Sequence, residues 1–138
     1  QRLEGSTAIA AATAEAPGTL LLALRGSGQA LYVGLADGAF LVASAPYGIV
    51  EEAKTYLRLD GETPAEKDRP ESRGQVVVLD GARAGEWGGI RRLAYDGTEL
   101  PLTEKDRKTL EITIASATAS GDQVRLLCPK AEPSSPSR

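Results

Sequence analysis

Histidine and methionine are absent from this 138-residue chain, and cysteine occurs once, as Cys128. Without histidine the chain builds no Ser-His-Asp triad, no Cys-His pair and no imidazole metal site. A lone cysteine makes no internal disulfide, so the expected compartment is the reducing cytoplasm. Without methionine there is no initiator residue, and position 1 is Gln. The chain is therefore expected to be processed, or to begin inside a longer one. Aromatic residues are only 4% of the chain. A core must then be assembled from Ala, Val and Leu, each burying modest area at roughly 25 cal/mol per Å², and marginal stability is expected of the isolated chain. Long apolar runs are missing too. Leu20 to Leu24 is far too short to cross a bilayer, and the first residues, with Arg2 and Glu4, lack a signal-peptide run. Net charge is −3 with no basic stripe, which makes phosphate-backbone binding a poor reading. Neither nucleic acid nor membrane is expected as a partner.

What is present reads as β structure. Hydrophobic residues make up 41%, enough for one domain with a core. The stretch "VGLADGAFLVAS", Val33 to Ser44, has two apolar arms around Asp37-Gly38, a strong hairpin signal because the tight turn needs the positive φ that glycine supplies. A hairpin apolar on both arms cannot stand alone in water. Further strands are predicted at Thr7 to Thr13, Thr19 to Leu24, Thr55 to Leu59, Gln75 to Leu79 and Ile90 to Tyr95. The last two are expected to pair across the loop carrying Gly85, Trp87, Gly88 and Gly89, with Trp87 as a small anchor. Asp-Gly steps at 37, 60, 80 and 96 are recurring turn chemistry. Ile49 to Ala53 is read as a short helical turn. Thr63 to Gly74, with two prolines and mixed charges, is read as a solvated connector. Thr103 after Pro101 predicts a helix N-cap, with Asp106 completing a capping-box-like pair and a short helix reaching about Leu110. The Pro/Ser-rich end, Ala131 to Arg138, is expected to be disordered.

None of the chemistry-bearing residues forms a persuasive site. Cys128 precedes Pro129 near Arg125 and Lys130, with no histidine to serve as its base. Arg25-Gly26-Ser27-Gly28 is too short for a phosphate cradle and leads into a strand, which favours a strand-to-strand turn. The carboxylate pairs Asp60/Glu62, Glu66/Asp68 and Glu104/Asp106 are sequence neighbours in polar loops, where facing placement is rare. No metal-ligand spacing is present. The residues predict no catalytic, cofactor-binding or metal site.

Order and spacing together carry a resemblance. "LEGSTAIA" (Leu3 to Ala10), "LLALRGSGQALYVGLADGAFLVAS" (Leu21 to Ser44) and "YLRLDGE" (Tyr56 to Glu62) resemble the second half of the glutaminase domain of the glutamine–fructose-6-phosphate aminotransferases, a family of type 2 glutamine amidotransferases. "RGQVVVLDG" (Arg73 to Gly81), "GGIRRLAYDGTELPLTEKD" (Gly88 to Asp106) and "LEIT" (Leu110 to Thr113) are similar to its connector toward two sugar-isomerase domains. The match covers about four-fifths of the chain and rests on strands and turns, none specific by itself.

The resemblance implies an α+β, β-rich fold: part of an N-terminal-nucleophile hydrolase, with two stacked antiparallel sheets between helical layers (αββα) and a disordered C-terminal tail. It divides the chain into a second half of the glutaminase domain (1–62), a connector toward the isomerase domains (63–113) and a divergent tail (114–138). It implies transfer of glutamine-derived ammonia to fructose 6-phosphate, giving glucosamine 6-phosphate. The nucleophile in the family is an N-terminal cysteine whose own α-amino group is the base, and no cofactor or metal is implied. The expected partners are glutamine and fructose 6-phosphate in the whole enzyme, and an upstream glutaminase piece for this chain. Departures are informative. Residue 1 is Gln, Thr7 stands where an aromatic is usual, and Ala45-Pro46 replaces an acidic residue after the hairpin. Beyond Thr113 the likeness stops, and the sequence from Ile114 reads as unrelated or frame-shifted coding. No functional residue of the family maps onto this chain, which is expected to be an inactive fragment. The alternative is a non-enzymatic β-rich module that binds another chain by strand addition.

Overall fold

A computed structural model describes residues 5–26, 28–49, 51–109, 113–114 and 126–127. Two four-stranded antiparallel sheets dominate. The first has the order β1 (Thr7–Ala12), β2 (Thr19–Arg25), β6 (Gln75–Asp80), β7 (Ile90–Ala94). The second has the order β4 (Ala39–Ala43), β3 (Tyr32–Ala36), β5 (Thr55–Arg58), β8 (Arg107–Thr109). Residues on both sides of position 62 share the first sheet, since β2 pairs with β6 from Thr19↔Asp80 to Leu24↔Gln75. A two-residue ladder joins β9 (Thr113–Ile114) to β10 (Leu126–Leu127). Cys128 and the Ala131 to Arg138 segment lie outside the described residues.

Alternation along each strand puts one face of each sheet into a shared core. Leu22, Leu24, Val77 and Leu79 from the first sheet meet Val33 and Leu57 from the second, all at most 3% exposed. The hairpin forms as its sequence predicts: β3 and β4 pair from Tyr32↔Ala43 to Ala36↔Ala39, and Gly38 takes φ 65° in the two-residue turn. β6 and β7 pair across the glycine-rich loop, with Trp87 packed against the core. The Arg107 guanidinium lies 5.9 Å from the Trp87 ring centre.

The outer face of the second sheet is covered by the connection between β4 and β5. Ile49 and Ala53 are buried there, against Tyr32, Leu41, Ala43 and Tyr56. The helical turn expected over Ile49 to Ala53 is present as an Ala53 amide bond to the Ile49 carbonyl, 2.8 Å. Gly34 permits this closeness, because a Cβ there would sit 2.9 Å from the Ala53 Cβ.

Three of the Asp-Gly turns share one device. The Asp60, Asp80 and Asp96 carboxylates each accept the amide two residues on, from Glu62, Ala82 and Thr98 respectively, at 2.9 Å. The 63–74 connector is ordered on its own bonds. An isolated Pro64↔Arg73 bridge closes it, and the fully buried Ser72 hydroxyl donates to the Arg69 carbonyl at 2.6 Å while accepting the Glu66 amide at 2.9 Å.

The helix expected from Thr103 to about Leu110 does not form. The Thr103 amide and hydroxyl do reach the Asp106 carboxylate, at 2.8 and 2.9 Å. Residues 107–109 then run as β8 against β5, from Leu57↔Arg107 to Thr55↔Thr109. One capped turn is too short to outweigh helix nucleation, whereas the edge of β5 supplies ladder partners along one side of residues 107–109.

Candidate functional site

The surface most in need of a partner is the outer face of the first sheet. Register places Ile9 beside Ala23, Ala11 beside Leu21, and these beside Val76 and Val78. All are apolar; Ile9, Ala11 and Leu21 are exposed, and Ala23, Val76 and Val78 are half-buried. Ile9 is 42% and Leu21 37% exposed, the only large aliphatics so exposed among the described residues. A shallow, apolar depression of about 210 Å³ opens on this face between Ile9, Val76 and Tyr95. Arg25 closes one end, donating from Nη1 to the carbonyls of Glu71 and Arg73, both at 3.0 Å. The sequence carried a signal for this surface: "TLLLAL" and "QVVVL" are apolar at consecutive positions, as in strands meant to be buried on both faces.

Beside the uncovered face is an uncovered edge. β1 is exposed along Ala8 to Ala12, on the side facing the second sheet as well as the outer side. Its neighbours on that inner side, Leu22 and Leu24, are buried. A cleft of about 340 Å³ enters the sandwich there, with Ala12, Leu20 and Leu79 on one wall and Phe40 on the other. β1 and β4 therefore lie on the same side of the molecule.

The opposite side is closed. Arg92 of β7 reaches across to Asp106, just before β8, with Nη1 to Oδ1 at 2.7 Å and Nη2 to Oδ2 at 3.3 Å. The same guanidinium donates to the Pro101 carbonyl at 3.1 Å, and its buried Nε has no protein partner. Burial by itself pushes the Asp106 carboxyl up, but bonds from Arg92 and from Thr103 outweigh it and hold the group below the usual carboxylate range. Leu100 donates its amide to the Arg92 carbonyl at 2.8 Å, covering the outer edge of β7.

A polar cleft of about 370 Å³ lies between Gly26, Arg58, Asp60, Glu62 and Lys108. Its acidic residue is committed to structure: burial raises the Asp60 carboxyl, while bonds from Thr63 and the Glu62 amide lower it further than that. Arg25-Gly26-Ser27-Gly28 joins β2 to β3, and the Gly26 amide donates to the Gly61 carbonyl at 2.7 Å. Glu66 binds Arg69 at 3.0 Å and accepts the Tyr95 hydroxyl at 2.8 Å. That bond from Tyr95 to Glu66 holds the Tyr95 phenol above its usual range. Among the described residues no group of acidic, histidine or cysteine side chains could hold a metal ion, and no helix is long and apolar enough to cross a membrane.

Sequence reasoning did not foresee the Arg92–Asp106 pair. Its signal was there in the inward register of Arg92 opposite Val77, a charge aimed at a core position. Neither family models, nor curated proteins, nor solved structures contain a match to this chain.

Proposed function

We propose that the chain is a fragment of a glutamine–fructose-6-phosphate aminotransferase, holding the non-catalytic half of its N-terminal-nucleophile glutaminase domain and the connector that follows. The whole enzyme makes glucosamine 6-phosphate in the cytoplasm from glutamine and fructose 6-phosphate. This chain contributes framework: strands and hairpin that support a glutamine site built elsewhere. The observation that carries the reading is the contrast between the two outer faces. On the second sheet the β4–β5 connection buries Ile49 and Ala53, while among the described residues the first sheet leaves Ile9 and Leu21 exposed beside half-buried Val76 and Val78. In the αββα arrangement each sheet has a helical layer outside it, and the ordered motifs from Leu3 to Thr113 supply the family.

The test is complementation. The purified chain alone should release no ammonia from glutamine above blank. Mixed with a separately made N-terminal half of a glutaminase domain that begins with cysteine, it should restore hydrolysis. Ammonia release by the chain alone, or failure to bind and activate the N-terminal half, would refute the proposal.

A second reading is a non-enzymatic interaction module. The uncharged free edge of β1 favours it, since an extended segment from another chain can add there. It predicts a monodisperse chain with strong near-ultraviolet circular dichroism. The fragment reading predicts poor ordering or self-association until the other half is supplied.

A further inference from the structure

Residues 101–109 cross from the β7 side of the first sheet to the β5 side of the second, and little apolar burial holds them. Leu102 is the one apolar side chain among them that packs on the shared core, and it is half-buried. β8, their last three residues, is exposed at every position and pairs only with β5, at the end of its sheet. By contrast Leu22, Val77 and Leu79 in β2 and β6 are at most 2% exposed. A segment with few buried apolar contacts opens at a lower free energy than the core it lies on.

Polar bonds centred on one guanidinium do the holding instead. Arg92 stands on β7, which pairs with β6 along its whole length. Its Nη1 and Nη2 donate to the Asp106 carboxylate, and Nη2 donates also to the Pro101 carbonyl. The same carboxylate accepts the Thr103 amide and hydroxyl, and the Asp106 amide donates to the Thr103 carbonyl at 3.0 Å. Arg92 and Thr103 would therefore lose their shared acceptor together if that carboxylate were removed. Closure is also imperfect: the Arg92 Nε is buried without a protein partner, a cost that opening relieves. Beside β8 stands Trp87, the only tryptophan of the chain, half-buried on the core with the Arg107 guanidinium 5.9 Å from its ring centre.

We propose that residues 101–109 are a strap that opens as one unit while the core between the two sheets stays folded, with Arg92 as the hook and Asp106 as the eye. Opening frees the ladder edge of β5 from Thr55 to Leu57 and takes Arg107 away from Trp87. The edge of the second sheet is thus conditional: β5 is an interior strand with the strap closed and an edge strand with it open. Loss of the Asp106 charge shifts the strap toward the open form.

Hydrogen exchange on the full chain in increasing, sub-denaturing urea tests this. The protected amides of residues 106–109 should exchange together, faster than the slowest amides of β2 and β6 and with a weaker urea dependence, because opening the strap exposes less surface than unfolding. Leu22→Ala should speed the β2 and β6 amides at least about tenfold but leave the strap amides within about twofold, since the core is intact in both the closed and the open form. Asp106→Asn should speed the strap amides at least about tenfold and raise acrylamide quenching of Trp87 fluorescence. Strap amides that share the rate and urea dependence of β2 and β6, or that accelerate with Leu22→Ala, would show that residues 101–109 unfold only with the whole and would overturn the strap. Strap amides unmoved by Asp106→Asn would overturn it equally. The urea series on the unaltered chain decides whether the unit exists even if the Leu22 variant fails to fold.

Discussion

Replacing Asp106 by Asn is a stringent test of how the closed side of the sandwich is held. The side chain keeps its shape but loses its charge. Arg92, whose side chain is 13% exposed, would keep only the Pro101 carbonyl as a bonded acceptor of full strength, with its Nε still unpartnered. Breaking a buried pair by removing one member costs about 3–5 kcal/mol. The 22% exposure of Asp106 lets water screen part of that, so a loss of roughly 2–3 kcal/mol is expected. For a domain of this size that lowers the melting temperature by on the order of 10–15 °C. The pH dependence has a definite sign. The folded carboxyl lies below its unfolded value of about 3.9, so its contribution is complete above that value and lost as pH falls through the lower, folded one. The Asn variant should therefore lose stability at neutral pH and show a flatter acid limb. Urea unfolding followed by circular dichroism from pH 7 down to pH 2 measures both. A variant within about 0.5 kcal/mol of the parent at pH 7, the range of ordinary surface changes, would show that the pair does not hold the sheets. The double variant Arg92→Met/Asp106→Leu should recover most of the loss, because it leaves no buried charge unpaired.

Leu22→Ala empties a site that is 0% exposed at the centre of the core and should cost about 2–5 kcal/mol in urea unfolding. Gly34→Ala forces a methyl to within 2.9 Å of the Ala53 Cβ and should cost about 1–3 kcal/mol, with the loss seen first as faster hydrogen exchange at Ala53. Ile9→Lys combined with Leu21→Lys should leave unfolding nearly unchanged while reducing binding of a hydrophobic dye, since both side chains stand on the uncovered face. A large loss of stability in that double variant would mean the face is already covered in solution.

Local signals fared well wherever the chain's own neighbours decide the conformation. Asp37-Gly38 specified its turn because few backbones other than a tight hairpin suit glycine at positive φ between two apolar arms. Tyr56 and Arg58 face outward and Leu57 inward, as alternation requires. Thr103 and Asp106 made their predicted bonds and still failed to start a helix, because the fate of Arg107 to Thr109 was set by β5, about fifty residues earlier in the chain. The connector from Thr63 to Gly74 looked featureless by composition. Its order comes from Ser72, a hydroxyl whose burial no local pattern announces.

The sequence by itself determined that this is a β-rich chain of small apolar side chains, punctuated by Asp-Gly turns. Those properties follow from side-chain type and spacing along a few residues. Tertiary structure alone decided that Arg92 and Asp106 close one side, that Ile49 and Ala53 are buried on one sheet, and that among the described residues Ile9 and Leu21 of the other sheet stay exposed. The physical reason is that burial and edge pairing belong to segments far apart in sequence, and whether an apolar strand finds a cover depends on which of them reach it.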